Sequence, residues 1–321
     1  MKTIAITGAS GYVGRQLISA LLRDGSFRVK VLTRTGVVDG LAPGRVKLVK
    51  GDLLSPASLQ GFLEPGCIVV NLVYLWDAGE DANTAAMRNL VTQCKSAAIS
   101  RLVHVSTAAV AGRVYTNLVD EATACVPTSG YGITKLKVEA LLRDESQGRF
   151  DLVMLRPTAV FGPGAEPLSK LAKDLLAGRG LRNYLKSSLF GRRRMNLVHI
   201  DNVVAAVVFV ADQAKVFSGE VFIVSDDDAG ANNFRDVEVA LMHGFGLPDY
   251  ALPRIPLPLV ALRMLLLLLG RNNINPCCNY SGQKLQGLGF RRPMSFEAGI
   301  AGYVAAHPAV SRVQEEADAG T

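Results

Sequence analysis

A tyrosine and a lysine four residues apart, Tyr131 and Lys135 in Y-G-I-T-K, are the side chains of this sequence best placed to move a proton. On a helix that spacing puts both on one face, one turn apart. A phenol with an ordinary pKa of about 10 is a poor base at neutral pH, and bringing it near 7 takes about 4 kcal/mol of preferential stabilisation of the phenolate. A neighbouring ammonium and a pocket that excludes water would contribute to that. Thr107, upstream in V-S-T-A-A-V-A-G, adds a hydroxyl able to orient a substrate oxygen while Tyr131 exchanges a proton with a hydroxyl or carbonyl. Tyrosine and lysine meet at this spacing by chance in many helices, so the group gains meaning only from the elements that position it.

The first of these elements is Thr7 to Gly14, T-G-A-S-G-Y-V-G, between a β-branched apolar run (Lys2 to Thr7) and a run with helical spacing from Tyr12 to Arg23. A glycine loop between a strand and a helix brings backbone close to a pyrophosphate, and the helix N-terminus offers unpaired N–H groups and partial positive charge. Gly8 serves the tight turn, Gly11 the close approach and Gly14 the packing of helix on strand. A second strand, Arg28 to Thr33, ends at Arg34, where a dinucleotide site reads the adenosine ribose. An arginine there suits the 2′-phosphate of NADP; a solvated strand-end arginine is the plainer reading. Asp52, after the third strand Val46 to Lys50, is placed to accept from an adenine amino group or to cap a following helix. The expected cofactor, NADP with NAD as the alternative, would therefore touch Gly8, Ser10, Gly11, Tyr12, Val13, Gly14, Arg34, Asp52, Leu53 and Leu72, with Tyr131 and Lys135 at its nicotinamide end.

Cys67 to Leu72 is apolar throughout, which implies burial on both faces as in a parallel sheet. A helix from Asp81 to Ala98 and a strand from Leu102 to Ser106 complete an alternation that predicts an α/β fold, a Rossmann-type doubly wound parallel sheet with a smaller C-terminal mixed α/β part. The expected division is 1–160 for dinucleotide binding, with segments near 198–224 returning to the sheet, 161–313 mainly for substrate, and a flexible tail over 314–321. In the second half, helices are expected at Leu168 to Ala177, Val203 to Ala211 with Asp201 as its cap, Phe234 to Phe245 and Phe296 to Ala306, and strands at Val198 to Ile200 and Val221 to Val224.

With 321 residues, 49% hydrophobic and 20% charged, the chain has the composition of an ordinary globular protein with ample core. Its net charge of +7 contains no basic run longer than Arg192, Arg193 and Arg194, which argues for a phosphorylated small molecule and against nucleic acid. Five cysteines without C-x-x-C spacing and no secretory signal predict reduced thiols in a cytoplasm; four scattered histidines predict no metal. The leucine-rich run Ile255 to Leu269 contains Pro256, Pro258 and Arg263 and is shorter than the ~20 residues a spanning helix needs. It fits a buried or membrane-surface helix, so membrane contact beyond the peripheral is not expected.

Together these motifs resemble the extended short-chain dehydrogenase/reductases of the NAD-dependent epimerase/dehydratase group. The match runs from T-G-A-S-G-Y-V-G through Gly51-Asp52-Leu53, Asn83, Asn89-Leu90, V-S-T-A-A-V-A-G, Glu121, Pro127 and Y-G-I-T-K. It continues through L-R-P-T-A-V-F-G-P-G, V-H-I-D-N-V and L-G-F-R-R-P, covering nearly the whole chain. The resemblance implies Thr107, Tyr131 and Lys135 as catalytic, Asn83 near the substrate and a homodimer through the helices carrying the Asn83 and Tyr131 regions. Relatives acting on nucleotide sugars commonly carry asparagine at the position of Ala159 and a basic residue before the V-H-I-D-like strand; this chain departs at the first and offers Arg192 to Arg194 at the second.

The favoured substrate is a nucleotide-diphosphate sugar reacting at C4, by reduction of a 4-keto group or by epimerisation, as in similar bacterial polysaccharide-locus members. Arg34 favours reduction with exchangeable NADPH, and Ala108 and Ala109 leave a dehydratase without its extra acid/base pair. The alternatives are a reductase of an apolar, steroid- or terpenoid-like ketone and a non-catalytic NADP sensor, the latter disfavoured by the intact Thr107, Tyr131 and Lys135.

Overall fold

The computed structural model describes residues 1–38, 44–178, 180–270 and 274–309; the expected tail from residue 314 lies outside the described residues. Strand β1 (Lys2–Thr7) and helix α1 (Tyr12–Asp24) open the chain, followed by β2 (Phe27–Thr33), β3 (Lys47–Lys50), β4 (Ile68–Asn71), α2 (Gly79–Ser96) and β5 (Arg101–Val105). Then come the short β6 (Leu118–Val119), α3 (Gly130–Ser146), β7 (Asp151–Pro157), β8 (Ala159–Phe161), α4 (Glu166–Leu176) and α5 (Gly180–Phe190). The chain continues with β9 (Leu197–His199), α6 (Ile200–Asp212), β10 (Glu220–Val224), α7 (Phe234–Gly244), α8 (Leu259–Leu268), β11 (Asn279–Tyr280), α9 (Gln283–Gly287) and α10 (Phe296–Ala305).

Seven strands form one parallel sheet in the order β10-β7-β5-β4-β1-β2-β3. Its apolar runs are continuous because helices cover both faces. Along β1, Ile4 and Ile6 pack with Leu17, Ile18 and Leu21 of α1 and with Val203 and Val207 of α6. Ala5 between them faces the other way, into a cluster with Leu90 and Val91 of α2 and Val138 and Leu142 of α3. Connections leave the sheet in opposite directions from β1 and β4, which pair with Thr7 opposite Asn71. The crevice beyond their C-terminal ends is the place where such a sheet binds ligands.

A smaller C-terminal cluster joins α4, α7 and α10 around Phe161, Leu168, Leu175, Leu241, Phe296 and Ile300, with the β8–β9 pair as its link to the sheet. Strand β10 ends the sheet, and its free edge is covered: the Ile223 N–H donates to Glu121 Oε1 at 2.7 Å and Lys284 Nζ donates to the Val221 carbonyl at 3.0 Å. Such cover prevents an edge from pairing with another chain.

Two local expectations are corrected and one element is added. The cap of α6 is His199, whose side chain accepts from the Asp201 N–H; Asp201 sits in the first turn, where its charge favours the helix N-terminus. The leucine helix runs only from Leu259 to Leu268, because Pro256 and Pro258 keep the segment before it out of the helix. Helix α5, beginning after Gly178 and lacking a clean apolar period, is an element with no counterpart in the sequence-based expectations.

Candidate active site

Backbone geometry makes the first half of the site. Gly8 has φ +80, and a methyl group at Gly14 would lie 2.3 Å from the Gly8 carbonyl oxygen and 2.7 Å from the Ala9 Cα. Only glycine lets α1 approach the loop this closely. Gly11 caps α1 without a side-chain hydrogen bond, and the first turn holds no acidic residue, so the positive helix end faces the crevice without a built-in anion. The arrangement fits a pyrophosphate.

The crevice has a volume of about 1040 Å³ and is lined by Gly8, Ser10, Gly11, Tyr12, Val13, Gly14, Arg34, Asp52, Leu53, Leu72, Thr107, Tyr131 and Lys135. That exceeds the ~300–1,000 Å³ of ordinary small-molecule sites and leaves room for a dinucleotide. Arg34 is exposed at the end of β2. Arg15, beside the loop, donates to the Ser10 carbonyl at 2.6 Å. Asp52 Oδ1 accepts from the Leu54 N–H at 2.9 Å, so the carboxylate holds its own turn while lining the crevice; it does not cap the short helical turn Pro56–Leu59, which follows Ser55.

The second half is the proton-transfer group. Ser129 caps α3 by accepting from the Gly132 N–H at 3.1 Å. A methyl group at Gly132 would lie 2.9 Å from the Ala109 carbonyl oxygen, so glycine there allows α3 to press on the turn Ala108–Ala111. That contact sets Tyr131 beside Thr107, whose hydroxyl favours the ionised phenol and accepts from the Ala109 N–H at 3.2 Å. Burial raises the Tyr131 pKa above its ordinary value and the neighbouring Thr107 hydroxyl opposes the rise. The expected lowering is therefore absent from the protein's own groups. Lys135 Nζ donates instead to the Val105 carbonyl at 3.1 Å and stands 5.7 Å over the Tyr74 ring. Its burial lowers the ammonium from 10.5 to about 8.

Sequence reasoning missed the aromatic wall beside the phenol. The Trp76 ring stacks on Tyr131 with centroids 5.1 Å apart and an interplanar angle of 16°, and Tyr74 meets both edge-on. Thr158 was also missed as a cleft group, whereas Ser106 was expected beside Thr107 at the end of the fifth strand: Ser106 Oγ and Thr158 Oγ1 are both buried in the crevice lining without a hydrogen-bond partner among the described residues. No spacing rule marks Tyr74, Trp76 or Thr158, because tertiary packing alone brings them to the cleft.

Asn83 lies outside the crevice lining. It is buried, accepts from the Leu75 N–H, and donates to the Leu75 and Gly79 carbonyls, so its side chain shapes the segment bearing Tyr74 and Trp76. The arginine run divides. Arg192 and Arg194 line a separate cavity of about 310 Å³ with Gly191, Gly230, Asn233 and Arg235; Arg193 is not part of that lining. Arg194 donates to the Ala229 and Gly230 carbonyls, whereas Arg235 has Nε and Nη2 buried with no partner among the described residues. Asn196, two residues after Arg194, accepts through its carbonyl from the N–H of cleft-lining Ala159 at 2.9 Å, which ties the strand following the cavity to the crevice wall.

The model of the NAD dependent epimerase/dehydratase family matches residues 4–225. The chain is 27% identical over 301 residues to a UDP-glucose 4-epimerase of Vibrio cholerae, covering 85% of this chain and 84% of that protein. Among solved structures it is similar to a dTDP-glucose 4,6-dehydratase from Bacillus anthracis in complex with NAD, with TM-score 0.73, 16% identity and 98% of each chain covered. A UDP-glucuronic acid 4-epimerase from Bacillus cereus in complex with NAD gives TM-score 0.70 at 21% identity, over 95% of this chain and 96% of that one. At these identities the structural likeness establishes the Rossmann-type fold.

Proposed function

The chain belongs to the NAD dependent epimerase/dehydratase family, and from that premise we propose that it is an NADP-dependent oxidoreductase that reduces the C4 ketone of a nucleotide-diphosphate sugar or epimerises its C4 hydroxyl. The observation that carries the substrate class is the cavity lined by Arg192, Arg194 and Arg235, whose following strand is hydrogen-bonded to cleft-lining Ala159. Guanidinium forks suit phosphate oxygens, and the unpartnered buried edge of Arg235 has donors to offer them.

In this reading the Gly8–Gly14 loop holds the pyrophosphate, Arg34 the 2′-phosphate, Asp52 the adenine amino group, and Leu53 and Leu72 pack beside the cofactor. The nicotinamide, when bound, supplies or accepts the hydride. Tyr131 Oη transfers the proton to or from the sugar oxygen, Thr107 orients that oxygen, and Lys135 holds the nicotinamide ribose. A cationic nicotinamide and a displaced Lys135 ammonium are the groups able to bring the phenol down from the raised value that burial imposes. Residues from 161 onward mainly hold the substrate. The free thiols support a cytoplasmic setting, and α2 with α3 is the proposed dimer face.

Incubation with NADPH and a panel of UDP- and dTDP-4-keto sugars tests the reading. Loss of nicotinamide absorbance with one of them is expected; no oxidation, together with no rise in melting temperature with any UDP sugar, would overturn the substrate class. Arg34→Asp should weaken NADP binding more than NAD binding, and equal effects would remove Arg34 from cofactor choice. A second reading, an apolar ketone, is favoured by Tyr74, Leu75, Trp76, Ala159, Val160 and Pro167 in the same cleft lining. Arg235→Ala separates the two: it should raise KM about tenfold or more for a nucleotide sugar and leave an apolar ketone unaffected.

A further inference from the structure

Helix α8 is turned the wrong way out for a helix that only fills a core. Leu262 and Leu266 are fully buried, while Val260, Met264 and Leu268, at successive intervals of four, are 76%, 55% and 80% exposed. Leu259, Leu267 and Leu269 widen the exposed stripe, and Leu252 and Ile255 extend it along the segment before the helix. That segment lies on α5: Tyr184 Oη donates to the Pro253 carbonyl at 3.0 Å and Arg254 Nε donates to Ser187 Oγ at 2.9 Å. Helix α5 in turn exposes Leu181 and Leu185. A patch of this kind on a chain needs an occupant.

Charge identifies it. Between Asp249 and Glu297 the sequence carries Arg254, Arg263, Arg271, Lys284, Arg291 and Arg292 and no acidic residue. Between Asp174 and Asp201 it carries Arg179, Arg182, Lys186, Arg192, Arg193 and Arg194, again with no acidic residue. Some of these cations are engaged within the protein, as Arg254 is with Asp249, Lys186 with Asp174 and Arg292 with Asp228. On the elements of the leucine stripe itself, Arg182 of α5 and Arg263 of α8 are exposed, the latter while donating to Asn275 Oδ1 at 3.1 Å. A leucine stripe whose own helices carry exposed Arg182 and Arg263 matches an anionic bilayer, where apolar side chains enter the acyl boundary and basic ones meet the headgroups.

We propose that the face built from α8, residues 252–258 and α5 docks on an anionic lipid bilayer. A second copy of the chain fits less well, because a two-fold contact would set this basic face against itself. The residues beyond 309 are small, polar and acidic, with Val310 and Val313 their largest apolar side chains, too little to cover the stripe. Spanning is excluded by length: ten helical residues cover about 15 Å, half of a hydrocarbon core. The inference is independent of the substrate reading above.

Sedimentation of the full chain with vesicles tests it. Vesicles of equal phosphatidylglycerol and phosphatidylcholine should bind the protein at least about tenfold more strongly than phosphatidylcholine alone, and added salt should weaken that binding. The double variant Val260→Asp with Leu268→Asp should lose about tenfold or more, with melting temperature and NADPH binding unchanged, since both side chains lie on the surface. Arg182→Glu should lose severalfold without touching the leucines. Absence of binding to the anionic vesicles, or equal binding to both kinds, would overturn the proposal. So would native mass spectrometry showing a wild-type dimer that the double variant splits, which would give the face to a second copy.

Discussion

Tyr131 finds a hydroxyl and two aromatic rings before it finds an ammonium. The phenol lies beside the Thr107 hydroxyl and is stacked on Trp76, while Lys135 donates to the Val105 carbonyl. Tyr131→Phe keeps the stacking and removes the proton, so kcat should fall about 10²–10⁴-fold with NADPH affinity unchanged; near-normal turnover in stopped assays would refute the role. Burial brings the Lys135 ammonium to about 8, below its ordinary 10.5. The folded protein therefore favours the neutral amine: the cost of the buried charge is present in full below pH 8 and relieved as pH rises toward the unfolded value. Binding that needs the ammonium runs the other way. NADPH affinity measured by titration calorimetry should decline as pH rises through about 8, and Lys135→Arg should flatten that limb. Trp76→Ala opens the face of the phenol and should raise KM for the substrate severalfold with a smaller change in kcat; an unchanged KM would remove the indole from substrate selection. Thr107, Tyr131, Lys135 and the glycines were legible because each works through local spacing. Trp76, Thr158 and Arg235 were not, since each reaches its site only through the packing of distant segments.

At the scale of elements, the strand–loop–helix unit from β1 to α1 was readable almost to the residue, because the close packing of α1 on its loop demands backbone that only glycine supplies. Gly14→Ala places a methyl 2.3 Å from a carbonyl oxygen. It should abolish dinucleotide binding in a thermal-shift assay and lower the melting temperature of the free protein as well. The buried strands were equally legible, since continuous apolarity leaves a parallel sheet few competitors. Helix α5 escaped because its apolar residues face two ways: Asn183, Ser187 and Ser188 are its buried positions, while Leu181 and Leu185 are exposed. The same inversion explains why the leucine run could be recognised as apolar without revealing which side would be covered. Composition sets how much apolar surface exists, and only neighbours decide where it goes.

Across the whole molecule, buried charge joins what the chain separates. Arg156 on β7 meets Glu139 on α3 through two guanidinium nitrogens, and the carboxylate is fully buried. Arg101 on β5 pairs with Asp151 and donates to carbonyls from Val210 to Lys215, tying the sheet to the end of α6. Asp226 collects the His199 N–H, Asn202 and Arg292, which draws the C-terminal segment back to the end of β10. Arg156→Met would strand the Glu139 charge and should cost about 3–5 kcal/mol in urea unfolding, whereas the double change to Met and Leu should recover much of it. These pairs could be seen in the sequence only as scattered letters, because their partners lie as far as a hundred residues away. Trp76 has a consequence of another kind. The sequence holds one tryptophan, so all indole fluorescence of the protein originates on the ring of Tyr131. A reduced nicotinamide arriving in the crevice would absorb that emission at close range, and a substrate that displaced the indole would shift its colour. The molecule thus carries an optical gauge at the place where its chemistry is proposed to occur, readable without a label and before any turnover.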